Sequence, residues 1–165
     1  MEAAVWGFIG TLIGALASIA TNVIASRNAA ALQNSAASAS REEQRKAFQR
    51  DTLLRLQDDL HRLLRRTFQI HLSDLQSFRA TGKWGSEALP EELNSGHMET
   101  VRDVNVLIER VAEDALRTEL KAFVISLNEV TFARSQNDAD RRLEAMNTRA
   151  VQVLERVGTV LRAQY

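Results

Sequence analysis

The chain of 165 residues has no cysteine and a single proline, and only seven glycines, three of which fall within its first 14 positions. The absence of cysteine excludes disulfide frameworks, thiolate zinc sites and cysteine nucleophiles. Scarcity of proline and glycine leaves few obligatory turns, and the remainder is rich in Ala, Leu, Arg, Glu and Gln, all good helix formers. Neither charge sign is in excess: 21 basic and 21 acidic side chains give a formal net charge of zero. Such a balance argues against a dedicated nucleic-acid binder, which carries a basic surplus on one face. The expected class is all-α.

The most informative absence is local. Ala3 to Ser26 is a run of 24 residues without one ionisable side chain, although a quarter of the chain is charged. At about 1.5 Å per helical residue the run reaches roughly 36 Å, enough to cross a hydrocarbon core of about 30 Å with some tilt. Its large apolar residues, Val5, Trp6, Phe8, Ile9, Leu12, Ile13, Leu16, Ile19, Val23 and Ile24, are distributed around a helix rather than along one stripe. That pattern belongs to a membrane span or to the centre of a large fold, and a chain this short has no such centre. A secretory signal peptide would need a basic start, whereas only Met1 and Glu2 precede the run. The expectation is a transmembrane helix over residues 1–27.

Arg27, Arg41, Arg45, Lys46 and Arg50 follow the run, and no basic side chain precedes it. The positive-inside rule then sets the amino terminus outside and the body in the cytoplasm, in a single pass of the inner membrane. Trp6 lies near one end, where an indole suits the headgroup level. Small residues recur at Ala3, Gly7, Gly10, Gly14, Ser18 and Asn22, and Gly10-Thr-Leu-Ile-Gly14 is a GxxxG. Close backbone approach over small residues drives helix pairing in lipid, and the Asn22 amide adds an interhelical hydrogen bond. Helix association is therefore expected through Gly7, Gly10, Gly14, Ser18 and Asn22.

Residues 28–40 are small, uncharged and free of Pro and Gly. They read either as a helical stalk or as a flexible linker. Ser40 with Glu43 three residues on matches a capping box, so a fresh helix start is expected at Arg41. From Arg41 to Arg79 the apolar positions Phe48, Leu53, Leu56, Leu60, Leu63, Leu64, Phe68, Ile70, Leu75 and Phe78 are spaced mostly by three and four. The spacing predicts a long amphipathic helix, and Thr67 and Asp74 interrupt the heptads a coiled coil would need. Thr81-Gly-Lys-Trp-Gly-Ser ends it and opens a connection expected to run from Thr81 to Gly96, with a helical turn at Pro90-Glu-Glu-Leu93. A second amphipathic run extends from Met98 to Val130 and falters at Glu113-Asp-Ala115, where Asp114 could cap a new segment; it reads as one kinked or split element. Asn137 is expected to cap the last helix, with Asp140 in its first turn. Residues 41–165 should form an antiparallel bundle of three to four helices.

Chemistry is not signalled. His61, His71 and His97 complete no metal spacing, and the adjacent carboxylates Glu42-Glu43, Asp58-Asp59 and Glu91-Glu92 point in different directions on a helix. No nucleophile elbow or phosphate-cradling loop is present. Arg62, Arg65 and Arg66 form the densest basic patch; surface pairing such as Asp58 with Arg62 is the favoured reading, and contact with anionic headgroups or nucleic acid is the alternative. Trp84, framed by Gly82 and Gly85, either plugs the end of the bundle or presents an aromatic anchor to a partner. No catalytic residue, metal or cofactor is expected.

The pattern from Trp6 through Gly14, followed by an Arg- and Glu-rich helix, resembles small uncharacterised bacterial proteins, often from actinomycetes, with one membrane anchor and a cytoplasmic helical bundle. The resemblance implies that layout and no activity. The expected function is a non-catalytic, membrane-anchored bundle acting through protein association, with the lipid bilayer, other copies of itself and an unidentified protein as partners. The alternative is a membrane-perturbing effector or small pore assembled through the glycine-rich helix.

Overall fold

The computed structural model describes the backbone of residues 2–165; ahead of Ile24, side chains are described only for Gly7, Gly14, Ser18, Thr21 and Asn22. Four helices account for almost all of it: α1 (Glu2–Thr81), α2 (Glu91–Arg110), α3 (Asp114–Thr131) and α4 (Gln136–Arg162). Among the described residues there is no strand. The chain divides into two compact units, residues 1–45 and 46–165.

In the first unit every described side chain is exposed, including Ile24 and Leu32. The expected new start at Arg41 does not occur, because α1 continues through Ser40. A capping box requires its serine to leave helical geometry, and an alanine-rich stretch without Gly or Pro offers no reason to do so. The serines instead turn back on the helix: the Ser35 and Ser38 hydroxyls donate to the carbonyls of Leu32 and Ser35, both at 2.8 Å. Residues 28–40 are thus helical. Among the described residues no helix is long and apolar enough to cross a membrane; the large apolar side chains from Val5 to Val23 lie outside that set.

The second unit is a helical bundle. Leu53, Leu56, Leu60 and Leu63 of α1 have no exposed surface, and their steps of three and four keep them on one face. They join Val104 and Ile108 of α2, Leu116, Leu120, Phe123 and Leu127 of α3, and Met146, Ala150, Val153 and Val157 of α4 in one core. Each such leucine contributes roughly 1.5–3 kcal/mol through burial. Side-chain ties fix the helix directions. Near the start of this unit Gln49 donates to the Arg110 carbonyl at 2.9 Å and accepts from the Ala112 amide at 3.0 Å. Arg50 reaches the Gln164 carbonyl at 2.9 Å, and its guanidinium lies over the Tyr165 ring. The beginning of this stretch of α1 therefore meets the ends of α2 and α4, and short connections reverse the chain between α2, α3 and α4. The order is up-down-up-down.

Several helix ends differ from expectation. The faltering rhythm near Asp114 is a complete break at Val111–Glu113, and the Val111 amide closes α2 on the Ile108 carbonyl. Asp114 is not the cap but stands in the first turn of α3, paired with Arg117. Ser135, not Asn137, caps α4: its hydroxyl accepts from the Asp138 amide at 3.3 Å. Asp138 rather than Asp140 occupies the first turn. The turn expected at Pro90 is the start of α2 itself, with the Pro90 carbonyl accepting from Leu93 and Asn94, so the connection after α1 ends at Pro90 rather than at Gly96, which lies inside α2. Phe48 and Met98, counted with the apolar rhythm, are 52% and 63% exposed and belong to the surface.

Candidate partner-binding site

The loop after α1 is built around glycines and one hydroxyl. Gly82 (φ 72°) and Gly85 (φ 61°) both take left-handed backbone, which a Cβ would strain. The Gly82 amide closes the helix on the Phe78 carbonyl at 2.8 Å. The Thr81 hydroxyl donates to the Ser77 carbonyl at 2.8 Å and accepts from the Lys83 amide at 3.2 Å. Between the two glycines this turn sets Trp84 back over the bundle, its ring centroid 5.7 Å from that of His71 and 6.1 Å from that of Phe78. Trp84 is half-buried.

Beneath it, His71 is buried, and its Nε2 lies 3.2 Å from Oδ1 of Asp140 on α4. Its Nδ1 has no hydrogen-bond partner. Asp74, one turn on, has its pKa raised by burial, an effect the nearby His71 partly offsets. Beside the indole opens a hollow of about 560 Å³ lined by Phe78, Trp84, Arg134, Ser135, Gln136, Asn137 and Asp140. Phe132, two residues before Arg134, is 79% exposed. Asp138, in the first turn of α4, is engaged by Arg142 at 2.9 Å and Arg141 at 2.7 Å. These hydrogen bonds, that from Arg142 first, hold its carboxyl below the ordinary carboxylate range.

A second hollow, of about 360 Å³, lies along α1 and the start of α2 and is lined by Arg66, Gln69, Pro90, Glu92 and Leu93. Here the Arg66 guanidinium lies across Gly96: a Cβ at that glycine would fall on Nη1 and stand 2.6 Å from Cζ. His97 beside it is buried, and burial first, Arg66 second, lowers its pKa. The basic cluster thus separates into distinct environments. Arg62 pairs with Asp59 at 3.0 Å rather than with Asp58, and Arg66 is half-buried against α2.

Among the residues expected to pair helices, Gly7, Gly14, Ser18 and Asn22 are exposed, and a Cβ at Gly7 or Gly14 would meet nothing within 4 Å. The side chains around Gly10 lie outside the described residues, as does Gly10 itself. Among the described residues no group of three or more His, Asp or Glu side chains is arranged to hold a metal ion. The joining of His71, Asp140 and Trp84 carries no mark in the sequence. Nor does the seat of Arg66, since Gly96 reads from the sequence as the end of the connection that starts at Thr81, and a lone glycine in a helical pattern is merely tolerated. No protein-family model matches the chain, and no curated protein sequence or solved structure shows similarity to it.

Proposed function

We propose that this chain is a non-catalytic, single-pass membrane protein of the inner membrane whose cytoplasmic helical bundle acts by binding other proteins. The observation that carries the reading is the run from Ala3 to Ser26, long enough to cross a bilayer and free of charge. Arg27, Arg41, Arg45 and Lys46, on its bundle side, favour retention of that side in the cytoplasm. Gly7, Gly10, Gly14, Ser18 and Asn22 supply a small-residue face on which anchors pair. Trp84 at the end of the bundle is the contact offered to a second protein.

The test is fractionation of cells expressing the full chain, followed by an alkaline carbonate wash and crosslinking in intact cells. The chain should stay with the membranes through the wash and crosslink to itself, and Gly14→Leu should weaken the crosslink while leaving the protein in the membrane. Recovery of the full chain as a monodisperse species without detergent would sink the reading.

A further inference from the structure

The start of α2 is lightly held. It has no side-chain cap, and none of its residues ahead of Val101 belongs to the apolar core or packs against it. What this stretch buries is Gly96, His97 and Thr100. Its tie to α1 is the Arg66 guanidinium lying across Gly96. His97 is 5% exposed, and its Nδ1 is buried without a hydrogen-bond partner. The buried hydroxyls of this part of α1 and α2 are committed to their own helices: Thr100 donates to the Gly96 carbonyl at 2.9 Å and Thr67 to the Leu63 carbonyl at 3.0 Å. Arg66 is the charged group that acts on His97, and among the described residues none on α3 or α4 does. The carboxylates of the stretch itself, Glu91, Glu92 and Glu99, are exposed, and Glu92 lines the hollow beside Arg66.

A neutral imidazole suits this seat and an imidazolium does not. Protonation puts an N–H on both ring nitrogens, so Nδ1 becomes a buried donor without an acceptor. It also sets a second positive charge beside Arg66. We propose that His97 is an acid-sensitive latch: on taking up a proton it frees the first three turns of α2 from α1, while the rest of the bundle stays folded. Release is local because Val104, Leu107 and Ile108 hold the remainder of α2 in the core. The sign follows from the two states. Seated, His97 binds its proton less tightly than usual, through burial first and Arg66 second. Released, it regains the ordinary histidine value of about 6.5. Opening therefore becomes easier as pH falls below about 6.5, by up to about tenfold per pH unit until the seated value is passed. The latch does not depend on the anchored reading of the chain.

Hydrogen exchange of the full-length chain between about pH 7 and pH 5 tests it, with rates expressed as protection factors so that the intrinsic pH dependence of exchange drops out. Protection over residues 95–101 should fall by up to about tenfold per pH unit below about 6.5, while the amides of Leu107, Ile108 and Leu120 keep theirs. His97→Gln, which cannot take the proton, should abolish the fall. Any contribution from Glu91, Glu92 or Glu99 would persist in that variant and is separated by it. Arg66→Gln removes the smaller of the two causes and should reduce the fall without abolishing it. Unchanged protection over residues 95–101 down to pH 5, a fall shared equally by Leu107 and Leu120, or an equal fall in His97→Gln would overturn the latch. Where His97→Gln does not fold, Arg66→Gln decides: a fall as large as in the unsubstituted chain overturns it.

Discussion

Gly96→Ala sets two opposing effects against each other. Gly96 is six residues into α2, where alanine is favoured over glycine by about 0.8–1.0 kcal/mol. The new methyl, however, would occupy the position of the Arg66 guanidinium, so the guanidinium, the free end of a flexible side chain, must swing aside. Arg66 is half-buried and among the described residues has no ion pair, so the cost of its displacement is whatever stem packing moves with it, about 0.8 kcal/mol for each methylene returned to water. The alanine gain is therefore reduced in the native background. Once Arg66→Ala has emptied the seat, the same glycine change should stabilise by close to 1 kcal/mol, a coupling measurable in a double-mutant cycle. His97 provides an independent readout. Burial is the larger cause of its lowered pKa and Arg66 the smaller, so Gly96→Ala should move its NMR titration upward, still short of the ordinary histidine value. Urea unfolding of the four proteins and the histidine titration together decide the matter. A full 1 kcal/mol gain with Arg66 present, and an unmoved His97 titration, would show that the guanidinium does not lie over Gly96.

Leu60→Ala, at a side chain with no exposed surface, should cost about 3 kcal/mol in chemical unfolding and leave the helix content intact. Gly85→Ala meets no steric obstacle but forces an alanine into left-handed backbone; it should cost about 1 kcal/mol and release Trp84 toward solvent, read as a red shift of its fluorescence in a Trp6→Phe background. Two groups shift stability with pH in opposite senses. His97 binds its proton less tightly folded than unfolded, so its contribution is present above about pH 6.5 and is lost as pH falls; His97→Gln should flatten that acid limb of the melting profile. Asp74, raised by burial, is favourable below its unfolded value and becomes a cost as pH rises through its folded one, so Asp74→Asn should raise the melting temperature at pH 7 and not near pH 3.

Periodicity made the bundle legible because one physical rule, burial of a stripe at helical spacing, decides both pattern and packing. Leu53, Leu56, Leu60 and Leu63 follow it on α1, as do Leu116, Leu120, Phe123 and Leu127 on α3. Helix ends were less legible because neighbouring residues compete for the same role. Ser135 and Asn137 are both good caps, and the choice of Ser135 sets which aspartate meets the arginines and which is left for His71. His71 and Asp140 are 69 positions apart, and their meeting depends on the relative height of α1 and α4, which no local pattern encodes. Phe48 and Met98 show the same limit from the other side. Steps of three and four admit a residue on the flank of a stripe, and only the neighbouring helices decide whether that flank is covered.

The glycines separate what the chain's own fold explains from what it does not. Gly82 and Gly85 are favoured by left-handed backbone, and Gly96 leaves room for the guanidinium that crosses it. Gly7 and Gly14 sit in ordinary helix with open space around them, where glycine costs about 1 kcal/mol relative to alanine. Seven residues apart, they fall on nearly one face. Nothing described within the chain offsets two such penalties, whereas the backbone of a second helix packed at that face would. If that helix exists, Gly7→Ala and Gly14→Ala should each raise helicity while weakening self-crosslinking in the membrane, and bulkier Gly14→Leu should weaken it further. Crosslinking that persists undiminished through Gly14→Leu would mean that the copies meet on another face.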